Sequence, residues 1–165
     1  MVEEDHCRSH YRKHNRHHRR RRKATDSMEG ENLMARIMND LIVKNVGSGR
    51  WELVQPIEYH VGSENSPEVV IVPVGFVTDF ASVPFGVRNL FPRDGKWTKA
   101  AIPHDYLYFT LGLHGKYSRK ECDKIFLEIM EVLNVSWIQR HVMYRAVRVG
   151  GGFGWKKRKK QLATL

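Results

Sequence analysis

The run Trp97-Thr-Lys-Ala-Ala-Ile-Pro-His-Asp-Tyr-Leu-Tyr-Phe-Thr-Leu111 decides how the second half of this chain folds. Its apolar residues recur at helical spacing, which predicts one helix from Trp97 to Leu111. Pro103 lacks an amide proton, so it is expected to kink or interrupt that helix just before His104. A break at this point would project His104 and Asp105 into a cleft.

Two further helices are predicted after this run. Ser118 with Glu121 three residues later forms a capping box, which begins the second helix. Its apolar stripe is predicted to comprise Cys122, Ile125, Phe126, Ile129, Met130 and Leu133. Ser136 is expected to cap the third helix, with apolar residues at helical spacing at Ile138, Val142, Ala146 and Val149. Gly150-Gly-Gly is expected to end that helix.

The first half of the chain has a period near two, which is typical of strands. Residues 41–46, 51–54 and 57–61 are predicted strands, separated by a turn at Gly47-Ser-Gly49. Residues 68–73 are nearly all apolar and predict a central strand. Together, these segments and turns predict three to five antiparallel strands. The predicted fold class is therefore α+β, with a small antiparallel sheet followed by about three helices and flanked by disordered basic ends.

Charge divides the chain into a near-neutral domain and two basic ends. The whole chain carries +10, but residues 1–23 hold nine Lys/Arg against three acidic residues, and Lys156–Lys160 add five more cations. Residues 24–155 are left with 14 Lys/Arg and 15 Asp/Glu. We predict a disordered, His-rich basic extension at 1–33, a single α+β domain at 34–155 and a basic tail at 156–165.

Several protein classes are disfavoured by composition. Cys7 and Cys122 are the only cysteines; they make neither a disulfide framework nor a zinc site, and Cys122 is expected to be a buried structural thiol. No apolar run approaches the roughly 18 residues of a membrane span. Residues 1–23 lack the apolar stretch of a signal peptide, so export by that route is not expected.

The candidate catalytic residues are His104 and Asp123. An imidazole deprotonates water near neutral pH, and a carboxylate that accepts the other ring N–H fixes its tautomer. Two antiparallel helices can place Asp123 beside His104 in this way. Tyr108 lies one turn after His104 and is expected to support the site, while Asp105, about 100° away around the helix, is a candidate metal ligand.

Structural alternatives exist for each of these residues. Asp123 can instead pair with Arg119, Lys120 or Arg145, and Tyr108 can be a core or rim aromatic. Asp79 and Ser82 are natural caps or turn formers before a short helix at Pro84. In the functional alternative, Asp79 is a metal ligand or an orienting carboxylate near His104, with Ser82 in support.

Four motifs resemble the domain-of-unknown-function 1353 family of tailed phages and prophages. They are Val72-Pro-Val-Gly-Phe-Val-Thr-Asp-Phe-Ala-Ser-Val-Pro84, Ala100-Ala-Ile-Pro-His-Asp-Tyr-Leu-Tyr108, Ser118-Arg-Lys-Glu-Cys-Asp-Lys-Ile-Phe126 and Met143-Tyr-Arg-Ala-Val-Arg148. The resemblance covers about residues 36–155. It implies phage origin, often among structural or lysis-region genes, but no settled activity.

A second resemblance concerns the chemistry. His104-Asp105-x-x-Tyr108 with the later Asp123-x-x-Phe126 is similar to the active-site helices of secreted and viral phospholipases of the A-two class. That similarity implies a water-activating His104, a calcium-binding Asp105 and an orienting Asp123. The chain departs from those enzymes because it lacks their disulfides, and Val74-Gly75-Phe76 with Asp79 is the sole candidate for their calcium loop.

The leading expectation is a phage-encoded hydrolase that acts on host-envelope lipid or peptidoglycan, with Ca²⁺ as the candidate cofactor. Its expected location is the virion or the host cytoplasm, with the envelope or other phage structural proteins as partners. One alternative is a non-enzymatic virion or tail-assembly component in which His104, Asp105 and Asp123 form a structural network. Another is nucleic-acid binding through the basic ends.

Overall fold

The computed structural model of the chain describes residues 40–80 and 95–164. The predicted extension 1–33, which includes Cys7, lies outside these residues. So do Ser82 and the short helix predicted at Pro84.

Five short strands occupy the first described range, and every pairing between them is antiparallel. Their bounds are β1 Val43–Asn45, β2 Trp51–Leu53, β3 Ile57–His60, β4 Val69–Val72 and β5 Val77–Thr78. They form two sheets rather than the single sheet expected, with orders β1-β2-β5 and β3-β4. In register, Trp51 faces Thr78 and Ile57 faces Val72.

The central strand predicted at residues 68–73 is wrong in its burial. Val70 and Val72 are fully buried in β4, but Ile71 between them is 50% exposed. Within the described residues, β4 pairs with β3 alone. The unbroken apolar composition of this strand therefore hides an ordinary alternation of buried and exposed residues.

Four helical segments follow, and with the strands they confirm the α+β class. Their bounds are α1 Trp97–Phe109, α2 Leu111–Gly115, α3 Arg119–Val132 and α4 Trp137–Leu162. The expected break at Pro103 is wrong, because α1 continues through that residue. Segment α2 is a single left-handed turn with positive φ at every residue. No helix in the described part of the chain is long and apolar enough to cross a membrane.

The capping box that begins α3 is confirmed. The Ser118 hydroxyl accepts from the amide of Glu121, and the Glu121 carboxylate accepts from the amide of Ser118 at 2.7 Å. The predicted apolar stripe of α3 lies in the core, and all six of its residues are buried. Burial raises the pKa of the Cys122 thiol to about 12, so this cysteine is an unreactive core residue, as expected.

Helix α4 begins where the sequence predicts, but its C-terminal end and its buried face differ from the prediction. Ser136 caps it by accepting from the amide of Gln139. The helix does not stop at Gly150 but runs to Leu162, so the cluster Lys156–Lys160 is helical rather than a disordered tail. Met143 and Val147 face the core, whereas most of the predicted stripe is exposed.

The close approach of Tyr108 explains the glycine at position 151. A Cβ atom on Gly151 would lie 2.4 Å from the Tyr108 hydroxyl. Glycine here therefore lets α4 pack directly against the Tyr108 ring of α1, which a larger residue would push away. The run Gly150-Gly-Gly, which the sequence suggests as a helix end, therefore includes a glycine that is needed for packing between helices.

Candidate functional site

A buried histidine–aspartate pair joins α1 and α3. Atom Nε2 of His104 lies 2.9 Å from Oδ1 of Asp123, and both side chains are completely inaccessible to solvent. The His104 ring packs between Tyr108 and Phe126, with ring centroids 4.4 and 4.8 Å away. The structure thus brings together the two residues that the sequence proposes as the catalytic pair.

Asp123 accepts three further hydrogen bonds. The Tyr108 hydroxyl donates to Oδ1 at 2.6 Å. On the other carboxylate oxygen, Arg148 of α4 donates at 2.5 Å and Arg119 of α3 at 3.4 Å. Four donors from three helices therefore converge on one carboxylate, which ties α1, α3 and α4 together at a single buried point.

The hydrogen bonds fix the charge state of the pair. Burial raises the pKa of Asp123, but the bonds from His104, Tyr108 and Arg148 lower it by more, so this pKa lies below its ordinary value. Burial is also the main effect on His104 and lowers the pKa of its imidazole, although Asp123 partly opposes it. At neutral pH we therefore assign a carboxylate at Asp123 and an uncharged ring at His104.

This charge state also fixes the tautomer of His104. An ionised carboxylate only accepts hydrogen bonds, so the ring nitrogen that faces it must carry the proton. The proton then sits on Nε2, and Nδ1 keeps a free lone pair. Nδ1 is buried and has no hydrogen-bond partner among the described residues. A buried acceptor without a hydrogen-bond partner lowers the stability of the fold. The unprotonated Nδ1 is also in the state that a general base needs in order to take a proton from water.

The neighbouring residue Asp105 faces away from this pair, toward β5. Its carboxylate accepts a short hydrogen bond from the Thr78 hydroxyl, which in turn accepts from the amide of Phe80. Asp105, Asp79 and Tyr108 line a cleft of about 500 Å³. The cleft is also lined by apolar residues of β5 and α1, by glycines of α4 and by Arg50 and Arg158.

The oxygen ligands available at this cleft make up only part of a calcium site. Calcium takes six to eight oxygen ligands, and Asp79 and Asp105 contribute two carboxylates. Over residues 40–80 and 95–164, no three His, Cys, Asp or Glu side chains are grouped as metal ligands. Arg50 and Arg158 line the same cleft and disfavour a cation there. Calcium binding at Asp79 and Asp105 stays a prediction, and no chemical step below depends on it.

The structure adds one site residue that the sequence reasoning missed. Arg148, rather than Arg145, is the α4 arginine that binds Asp123. The error follows from the choice of the buried face, since Arg145 adjoins the stripe taken as apolar and Arg148 flanks the true buried residues Met143 and Val147. The sequence does show a second apolar pair at i, i+4 spacing in the same helix, Met143 with Val147, but periodicity alone does not say which pair is buried.

The lowered pKa of His104 predicts a stability that falls with acidity. In the unfolded chain the imidazole binds a proton below its ordinary pKa of 6.5, whereas the folded chain resists it. The stability that the neutral His104 ring contributes is therefore fully present above pH 6.5. It is lost as the pH falls toward the lower pKa that His104 has in the folded chain. We expect up to about 1.4 kcal/mol lost per pH unit in that window.

Urea unfolding at a series of pH values checks this expectation. The slope below pH 6.5 should be smaller in His104→Asn and unchanged in His141→Asn, a histidine on α4 that bonds only its own helix. Equal slopes in the wild type and in His104→Asn would contradict the assignment of a neutral buried ring. The lowered pKa of Asp123 adds a separate loss as the pH falls below 3.8.

Comparison with known proteins places the chain in a family. Searches of curated proteins and of solved structures gave no match. A family model described as "Protein of unknown function (DUF1353)" matches residues 51–147, which contain every strand except β1, as well as α1, α3 and the Asp123 network apart from Arg148. Because this match covers more than half of the chain, the protein belongs to the DUF1353 family.

Proposed function

We propose that this protein is a phage-encoded hydrolase in which His104 activates water for attack on an ester or amide bond of the host envelope. The observation that supports the proposal is the free lone pair on Nδ1 of a neutral, buried imidazole whose other nitrogen is held by Asp123. General bases are built in this way, with one nitrogen oriented by a carboxylate and the other directed at the reacting water.

The proton transfers of the proposed reaction use only groups that the chain supplies and one water molecule. Nδ1 takes a proton from water as the oxygen attacks the carbonyl carbon of the substrate. The resulting imidazolium is stabilised by Asp123 and then gives its proton to the leaving group. His104 does not itself line the cleft, so substrate entry must uncover Nδ1, and Tyr108 is the cleft residue whose ring packs against the imidazole.

The proposed substrates are ester lipids or peptidoglycan, and the proposed place of action is the host envelope, reached from the virion or from the host cytoplasm. The cleft supports an amphiphilic substrate because it combines apolar walls with Arg50 and Arg158. Ca²⁺ is the proposed cofactor at Asp79 and Asp105. Calorimetric titration of Ca²⁺ into the wild type and into Asp105→Asn tests that part separately.

The activity test compares two histidine substitutions in the full-length chain. We expect the wild type to release fatty acid from phospholipid vesicles or fragments from peptidoglycan, assayed with Ca²⁺ and with a chelator. His104→Asn should lower the rate by about 10²–10⁴-fold, which is the usual contribution of a general base. The matched control His141→Asn, on the surface part of α4, should retain it.

A wild type that is inactive on every substrate, or a His104→Asn variant of undiminished rate, would reject the hydrolase. The alternative that the structure also favours is a non-enzymatic virion or tail-assembly component, held together by Asp123. Four donors on one buried carboxylate are what such a structural role requires. In that case His104→Asn changes only the stability.

A further inference from the structure

We propose that the outward side of α4 docks onto the surface of a bilayer that contains anionic lipids. We call this side the α4 outer face, and it comprises Ile138, Val142, Val149, Phe153, Lys156 and Lys160. Docking goes beyond the hydrolysis proposed above and does not depend on it, since binding can be measured without any turnover.

The α4 outer face is one continuous stripe on the helix. At about 100° per residue, its members fall within a sector of about 60°, whose centre lies about 130° around the helix from the buried residues Met143 and Val147. The stripe spans about 33 Å, at about 1.5 Å of rise per residue. Val149 is 84% exposed and Phe153 is 85% exposed, so neither is used by the fold. A stripe of large exposed apolar side chains on one helix marks an interaction surface.

The charge of α4 selects an anionic partner. The helix holds eight Lys/Arg and no Asp or Glu between Trp137 and Leu162. Three of the eight are engaged within the protein: Arg140 with Glu131, Arg148 with Asp123, and Arg158 with the carbonyl oxygen of Phe109. The other five have no carboxylate partner in the described parts of the chain, and they are Arg145, Lys156, Lys157, Lys159 and Lys160.

The combination of apolar and cationic groups favours a bilayer over a nucleic acid. The phosphate backbone of a duplex is bound by cations and polar hydrogen-bond donors, so duplex binding does not use the exposed apolar side chains of Val149 and Phe153. An interfacial helix needs both, because its apolar side chains enter the acyl boundary while its lysines bind lipid phosphates. On α4, Ile138, Val142, Val149 and Phe153 provide the apolar part, and Lys156 and Lys160 continue the same stripe.

Vesicle flotation with the full-length chain tests this surface. We expect binding to vesicles that mix phosphatidylglycerol with phosphatidylcholine, little binding to pure phosphatidylcholine, and weaker binding as salt rises from about 0.1 to 0.5 M. The double variant Val149→Glu/Phe153→Glu should bind at least about tenfold more weakly. Lys156→Gln/Lys160→Gln should also bind more weakly. The matched control Val54→Glu, at an exposed valine outside α4, should bind as the wild type does.

The outcomes separate docking from hydrolysis. His104→Asn should bind vesicles normally, so a loss of activity with intact binding supports both proposals. Unchanged vesicle binding in Val149→Glu/Phe153→Glu would overturn docking through α4, whatever the activity. Failure of the wild type to bind anionic vesicles would do the same, and duplex DNA binding that survives the double variant would then assign the cations to nucleic acid.

Discussion

Replacing Asp123 with alanine is expected to lower the free energy of unfolding by about 3–5 kcal/mol. The substitution leaves His104 Nε2 and the Tyr108 hydroxyl as buried donors without an acceptor, at a cost of about 1–3 kcal/mol each. Arg119 and Arg148 lose less, because both remain partly open to water. Urea unfolding gives the loss from the shift in midpoint, provided that the m value is unchanged.

Glu131→Ala is the matched control for this prediction. Like Asp123, Glu131 lies on α3 and binds an arginine of α4, with 3.0 Å between its Oε1 and the Nη2 of Arg140. It is 55% exposed, so its removal should cost no more than about 1 kcal/mol. Asp123→Asn keeps an oxygen for His104 and Tyr108 and should lose less than the alanine variant. A loss in Asp123→Ala as small as in Glu131→Ala would mean that the network does not support the fold.

The sequence predicted those parts of the site that depend on residues close to one another along the chain. The capping box at Ser118 sets the start of α3, and the helical period of about 3.6 residues then determines which residues share each of its faces. Asp123 could therefore be placed beside the buried stripe of α3, within reach of His104 on a packed partner helix. The pair is observed at 2.9 Å.

The parts that sequence could not predict depend on contacts between distant residues. Helix α4 has apolar pairs at i, i+4 spacing on two opposite sides, Ile138 with Val142 and Met143 with Val147. Periodicity alone cannot choose between them, and the wrong choice made Arg145, rather than Arg148, the α4 arginine named as an alternative partner of Asp123. Similarly, the glycine at 151 matches a helix end until the Tyr108 ring is seen against it.

The turn between α1 and α3 is the second place where one substitution should have a large effect. Gly112→Ala should lower the free energy of unfolding by about 2–5 kcal/mol, the sum of a left-handed alanine and an overpacked contact. Gly112 has φ +66°, and a Cβ atom there would lie 2.0 Å from the backbone oxygen of Tyr117. A backbone atom cannot turn away as a side chain can, so the backbone must shift, either in α2 or in the segment at Tyr117 that leads into α3.

Gly115→Ala isolates the steric part of this loss. Gly115 belongs to the same left-handed turn and has φ +97°, but nothing lies within 4 Å of a Cβ atom built on it. Alanine at Gly115 should therefore cost only the backbone strain, about 1–2 kcal/mol. Equal losses in the two variants would show that the contact with Tyr117 relaxes freely. A larger loss in Gly112→Ala, with an acid dependence below pH 6.5 that extends to lower pH, would show that the turn also positions Asp123 on His104. Displacing α3 lengthens the bond between them, and that bond is what opposes the lowering of the His104 pKa by burial.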